Sequence, residues 1–152
     1  HGAAAGGDTK AVKEFLSAGT EVTARDKYGR TPLHGVTTKE ITELLIAKGA
    51  DVNAKDNYER TSLHGVTTKE IAELLIEKGA DVNAKDKYER TPLHGVTTKE
   101  IAELLIAKGA DANAAMKNGR TALDMTKRHP EIAELLRKHG GKTGEELKAE
   151  GK

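Results

Sequence analysis

The chain of 152 residues contains no cysteine, which excludes disulfides, thiol chemistry and cysteine-based metal sites but does not fix the compartment. No apolar run approaches the roughly 18 residues needed to span a bilayer. No Asn-x-Ser/Thr sequon and no signal peptide are visible. Aromatic residues make up only 3%, so aliphatic side chains must fill whatever core exists. Charged residues reach 32% yet cancel to a formal +1, which gives no overall nucleic-acid signature. The only serines are Ser17 and Ser62, so no Ser–His–Asp set is indicated. The chain begins at His1 rather than Met and is read as a fragment or processed product; a targeting signal upstream of it stays open.

What the chain does have is repetition. The segment Asp26 to Lys55 recurs almost letter for letter from Asp56 and again from Asp86, and the first and third copies agree at 26 of 30 positions. A chain copied at a fixed period predicts stacked modules, each contacting mainly its neighbours. The low hydrophobic fraction of 36% suits a thin seam between layers rather than a central core.

One unit, read at 86–115, predicts a turn, a short helix, a longer helix and a loop. Asp86-Lys87-Tyr88-Glu89-Arg90 is polar and turn-like. Thr91 is placed to cap a helix that opens at Pro92, where a missing N–H costs nothing. Gly95 and Thr97-Thr98 stop it at once. Thr97 and Glu100 have the spacing of a capping box. Ile101, Leu104 and Leu105 then share one helical face, and Gly109 ends the helix.

This unit resembles the ankyrin repeat, whose signature is a turn plus two helices with T-P-L-H-x-A. The matching residues are Thr31-Pro32-Leu33-His34, Thr61-Ser62-Leu63-His64 and Thr91-Pro92-Leu93-His94, followed by Gly49-Ala50-Asp51-Val52-Asn53-Ala54 and its copies at 79 and 109. The resemblance implies an all-α repeat fold: an ankyrin solenoid of helix-turn-helix units joined by β-turn or hairpin-like loops. It implies a single domain over 1–152, with an N-terminal partial repeat at 1–25 and internal repeats at 26–55, 56–85 and 86–115. A capping repeat at 116–141 and a polar tail at 142–152 complete it, the tail with at most one capped turn at Thr143. In the last repeat Asp124 takes the His position, and Ile132, Leu135 and Leu136 form the apolar face of the second helix. The period is three residues short of the family's usual 33, and the loss falls after His34, His64 and His94. Three residues are close to one helical turn, so the expectation is a truncated first helix and a shallow concave face.

Several constellations bear on chemistry. His34, His64 and His94 repeat one per layer, about 8–10 Å apart by helix packing, too far to share a zinc ion whose ligands lie within about 2.1 Å. They are read as structural, each bonding backbone near its turn. Gly140-Gly141-Lys142-Thr143 lacks the first glycine of a phosphate loop, because Leu136 stands there. Glu40, Glu43, Glu70, Glu73, Glu100 and Glu103 read as a solvated face. No catalytic residue, cofactor or metal is expected, and no enzyme is indicated.

The turn tips remain as the candidate site. Tyr28, Tyr58 and Tyr88 form one ladder; Arg30, Arg60, Arg90 and Arg120 form another, with Lys27, Lys87 and Lys117 beside them. Tyr and Arg are enriched in binding hot spots, and the resemblance implies that these turns contact partners. The turns at 25–30, 55–60, 85–90 and 115–120 carry +2, 0, +1 and +2, so that edge holds +5 and the remainder −4. The expected function is therefore a non-enzymatic protein-protein interaction module. Its partner is an unidentified protein with an acidic surface, without nucleic acid or membrane, and the chain is expected to be a monomer. Two bland readings stand beside this: Tyr and Arg packing on each other as a cation–π ladder between layers, and a structural or designed repeat scaffold with no dedicated partner. Gly29 and Gly119 occupy a turn position that favours positive φ, where Glu59 and Glu89 imply either strain or another turn type.

Overall fold

Each copy of the 30-residue unit folds the same way because each carries the same start and stop signals. In the computed structural model, which describes residues 1–151, there are seven α-helices and four 3-10 turns, and no β-strand among the described residues. The chain divides into two compact units, residues 1–81 and residue 82 onward.

The first unit holds α1 (Gly2–Ala5), α2 (Thr9–Ser17), a 3-10 turn (Pro32–Gly35), α3 (Lys39–Ala47), a second such turn (Ser62–Gly65) and α4 (Lys69–Glu77). Its layers stack in chain order: α1 meets the first 3-10 turn, α2 meets α3, α3 meets α4, and the two turns meet each other. In the second unit a 3-10 turn (Pro92–Gly95) and α5 (Lys99–Ala107) pack on a shorter turn (Leu123–Met125) and α6 (Pro130–Lys138), followed by α7 (Gly144–Ala149).

The first helix of each internal repeat is thus one 3-10 turn, shorter still than the truncated helix expected. The second helix starts one residue later than its capping-box pattern suggests. Thr38, Thr68 and Thr98 are the N-caps, and their hydroxyls accept from the backbone N–H of Ile41, Ile71 and Ile101 at 3.3, 3.3 and 3.4 Å. Thr98 itself is extended, with φ −127° and ψ 145°, so it caps the helix from outside and the first helical residue is Lys99. Glu100 consequently falls in the first turn, where its charge suits the helix dipole, rather than at the reciprocal capping position. Gly49, Gly79 and Gly109 follow the helices at φ 93–95°, the left-handed stop that glycine accepts without penalty.

The seam uses one leucine from each short turn and two or three aliphatics from each long helix. Leu33, Leu63, Leu93, Ile41, Ile71, Ile101, Leu45, Leu75, Leu105, Ile132 and Leu136 are essentially fully buried. Burying each contributes roughly 1.5–3 kcal/mol. Thr42, in place of Ala72 and Ala102, is fully buried too, and it satisfies its hydroxyl by donating to the Thr38 carbonyl at 2.8 Å.

Polar staples join successive repeats within each unit. The Asn53 amide donates to the Gly79 carbonyl at 2.9 Å, and its Oδ1 accepts from Asp81 N–H at 2.9 Å. Asn83 does the same to Gly109 and Asp111, at 2.9 and 2.8 Å. Asn113 repeats the pattern on Gly140 and Lys142, at 3.0 and 2.8 Å. The tail therefore enters where a further repeat would enter. It does not fray: Thr143 and Glu146 form a capping box, and α7 follows. Arg137 Nη1 bridges to both Glu146 oxygens at 2.8 and 2.7 Å, which, with the Thr143 N–H, brings that carboxyl to a pKa of about 2.

Candidate functional site

Each tip is built around its first residue. The Oδ1 of Asp86 accepts from the backbone N–H of Tyr88 and of Arg90, at 2.8 and 3.0 Å, and its Oδ2 receives Arg90 Nε at 2.8 Å. Asp26 and Asp56 hold Tyr28 with Arg30, and Tyr58 with Arg60, by the same contacts. The Asp56 and Asp86 side chains are only 1% and 0% exposed, while Arg60 and Arg90 keep 41% and 37%, so each buried carboxylate is covered by a guanidinium that still meets water. Burial pulls their carboxyls up, but the hydrogen bonds from backbone and guanidinium outweigh it and hold them below the ordinary value.

The guanidinium so fixed lies over the tyrosine two residues back. Arg30, Arg60 and Arg90 sit 5.0, 5.2 and 5.2 Å from the ring centres of Tyr28, Tyr58 and Tyr88, and Lys27 approaches Tyr28 to 4.9 Å. The cation–π contacts therefore form within each tip and not from layer to layer, because Asp holds the arginine of its own turn. The rings remain 45–49% exposed.

The backbone joins some neighbouring tips. Asn57 N–H donates to the Tyr28 carbonyl at 2.9 Å, and Lys117 N–H to the Tyr88 carbonyl at 3.0 Å. Arg25 adds two bonds, to the carbonyls of Gly29 and Lys55. Glu59 and Glu89 keep the turn of Gly29 and Gly119, at φ 60° and 61°. The strained alternative holds, and the left-handed conformation costs each roughly 1 kcal/mol. Their carboxylates reach Lys55 and Lys85 at 3.8 Å, exposed pairs of little worth.

The last tip departs from this plan. Met116 replaces the aspartate and Asn118 the tyrosine. The Arg120 guanidinium has only a backbone partner, its Nη2 donating to the Asp124 carbonyl at 3.2 Å, while the backbone N–H donates to the Asn118 side-chain Oδ1 at 3.1 Å. Lys117 and Arg120 are both exposed. Of the arginines in the ladder, three are bound to a carboxylate and a ring, and one is not.

The histidines lie under the tips. His34 Nδ1 accepts from Thr31 N–H at 3.1 Å, so the ring proton sits on Nε2, which donates to the Arg60 carbonyl at 2.9 Å. His64 and His94 accept from Thr61 and Thr91 in the same way, at 3.1 and 3.0 Å. His94 is buried, and burial lowers its pKa against the opposing backbone of Arg120, Thr91 and Ala114 and the Asp86 carboxylate. Asp124 takes over the acceptor role in the last repeat, receiving Thr121 N–H and Gly144 N–H, both at 2.8 Å. A shallow groove of about 170 Å³, lined by Arg30, His34, Asp56, Arg60, Thr61 and His64, runs along this face of the first unit. Among the described residues no cluster of three or more His, Asp or Glu is arranged to hold a metal.

These turn-and-helix units, each with its histidine or aspartate bonded to the threonine that opens its short turn, decide the family. A family model of ankyrin repeats in three copies matches residues 1–86 and again 66–146. This chain belongs to the ankyrin repeat family. The solenoid class, the all-helical layers and the T-P-L-H signature follow from that membership. No curated protein gives a significant match. Ankyrin repeats are generally protein-protein interaction modules and typically non-enzymatic.

The repeat pattern brought out Tyr28, Tyr58, Tyr88 and their arginines but passed over Asp26, Asp56 and Asp86, which hold them. The signal was present, since Asp stands at three of the four equivalent positions. It also passed over Lys127, between the last short turn and α6, and Lys148 on α7, which line the groove beside the last tip.

Proposed function

We propose that the chain is a non-enzymatic module that binds a protein partner through its turn tips. The observation that carries this reading is the exposure of Tyr28, Tyr58 and Tyr88 on turns fixed by Asp–Arg pairs. A hot spot needs large, rigid, amphipathic groups whose ordering cost is already met before binding. Arg30, Arg60 and Arg90, with Lys27 and Lys87, frame the rings with positive charge; Lys117 and Arg120 extend it at the last tip. That charge supports an acidic partner surface. The short 3-10 turns leave little depth beside the tips, which favours the tips over the groove. A monomer is the expected working state, because each unit buries its own seam.

The second reading, a scaffold without a dedicated partner, draws support from the internal pairing of each Tyr with its own Arg. Pull-down from native lysate with the wild type and with Tyr28→Ala, Tyr58→Ala, Tyr88→Ala combined separates them. Loss of a saturable partner in the triple variant supports the tips. A partner retained at full affinity by the folded triple variant sinks them.

A further inference from the structure

We propose that the groove between the last tip and α7 is a carboxylate-binding site for an acidic peptide segment of the partner, with Arg120 as its anchor. This rests on the reading that the chain binds an acidic protein partner, and it moves the charge recognition from the tyrosine tips to the last one.

Four observations converge there. Met116 stands where Asp26, Asp56 and Asp86 bind their arginines, so Arg120 has no ion pair among the described residues. Asn118 stands where tyrosine covers the guanidinium elsewhere, so Arg120 has no ring over it. An open groove of about 520 Å³ is lined by Arg120, Lys127 and Lys148, with Asn118, Gly119 and Gly144 at its walls. All three cations are exposed.

Two carboxylates also line the groove, Asp124 and Glu145. Asp124 Oδ2 already accepts from Thr121 N–H, Thr121 Oγ1 and Gly144 N–H, so it is held as part of the wall; Arg120 makes no ion pair with it within 4 Å, though its charge is among the causes that keep the Asp124 carboxyl below its ordinary pKa. The groove keeps a positive excess of one over its lining residues, and Lys117 adjoins it.

The fork of a guanidinium matches a carboxylate bidentately, and two flanking ammonium groups suit the neighbouring acids of an acidic segment. The other tip arginines cannot offer this without giving up their aspartates. The groove is rigid, since α7 is pinned by Asp124, by the Thr143–Glu146 cap and by Arg137. A ligand there meets a preformed cationic wall and bears little ordering cost.

The test is titration of the full chain with a short fluorescent glutamate-rich peptide, and with its glutamine counterpart, at low and moderate salt. The expected result is saturable binding of the acidic peptide alone, about tenfold or more weaker in Arg120→Gln. Met116→Asp should weaken it equally, because it gives Arg120 the aspartate the other tips have while leaving the guanidinium in place. Lys148→Gln should weaken it less, and Arg90→Gln should leave it within about twofold. Circular dichroism checks that each variant is folded. Binding unchanged in both R120Q and M116D overturns the site. If that binding instead falls in the tyrosine triple variant, the turn-tip reading stands and only this inference fails. No binding of the peptide by the wild type also overturns it, while the lysate pull-down still decides whether a protein partner exists.

Discussion

The tip at 86–90 and the tip at 116–120 share a backbone path but not a purpose for their arginine. Both bond their first residue to the fifth, and both place the fourth at positive φ. In one, a buried aspartate gathers two backbone N–H groups and a guanidinium, and the arginine becomes a strut under a tyrosine. In the other, methionine leaves the guanidinium bonded to a backbone carbonyl alone. A cation on a repeat surface is thus available or committed according to a neighbour four residues away, and counting charges along the edge misses this.

Asp86→Ala should break the first tip hardest. It removes the acceptor of two part-buried N–H groups and of the Arg90 guanidinium, and a loss of about 3 kcal/mol is expected by urea denaturation. Met116→Ala at the equivalent place should change stability little. Equal losses at both would show that the aspartate is no strut.

Gly144 sets the next largest effect. A Cβ there would overlap the Gly119 carbonyl oxygen, so Gly144→Val should lift α7 from the last tip at a cost of about 2 kcal/mol. Hydrogen exchange should show its amides losing protection while those of α5 keep theirs. Retained protection in α7 would mean that the tip and the tail helix do not depend on each other.

Acid should also separate the two regions. His94 is neutral in the fold with its pKa lowered from 6.5, so its contribution is complete above pH 6.5 and is lost as the pH falls below that. Asp124 serves in the same role with a pKa lowered from 3.8, so its share survives that window and is lost only below it. A urea midpoint that falls from pH 7 to pH 5 in the wild type, and no longer in His94→Gln, is the expected pattern. An unchanged slope in that variant would place the sensitive group elsewhere.

The smallest effects concern imperfect copies. Met116→Asp should stabilise the last tip by about 1 kcal/mol by restoring the strut. Ser62 occupies the position of Pro32 and Pro92, with its buried hydroxyl unpartnered. Ser62→Pro should add roughly 0.5–1 kcal/mol, seen as a raised melting temperature. A lower melting temperature would mean that Ser62 does not share the backbone of the two prolines.

Much of this architecture was legible in the repeated segment. Leu33, Ile41 and Leu45 and their copies declared the seam by spacing, and T-P-L-H with a shortened period foretold the stubby first element. The N-cap at Thr98 was not legible, because Thr97 satisfies the same local pattern; the extended backbone of Thr98 and its bond from Ile101 N–H set the later start. Of α7 only the capped turn at Thr143 was legible; the rest of that polar helix is held by Asp124 and Arg137, partners outside it.

The sequence by itself determined the family, the layer order and which aliphatic residues meet, because these follow from short-range periodicity copied between neighbours. Only the tertiary structure decided which arginines are free, that the tyrosines are held within their own tips, and that the tail closes over the last one. Those outcomes depend on desolvation and on hydrogen-bond direction between residues brought together by folding, and neither is written in the order of the letters.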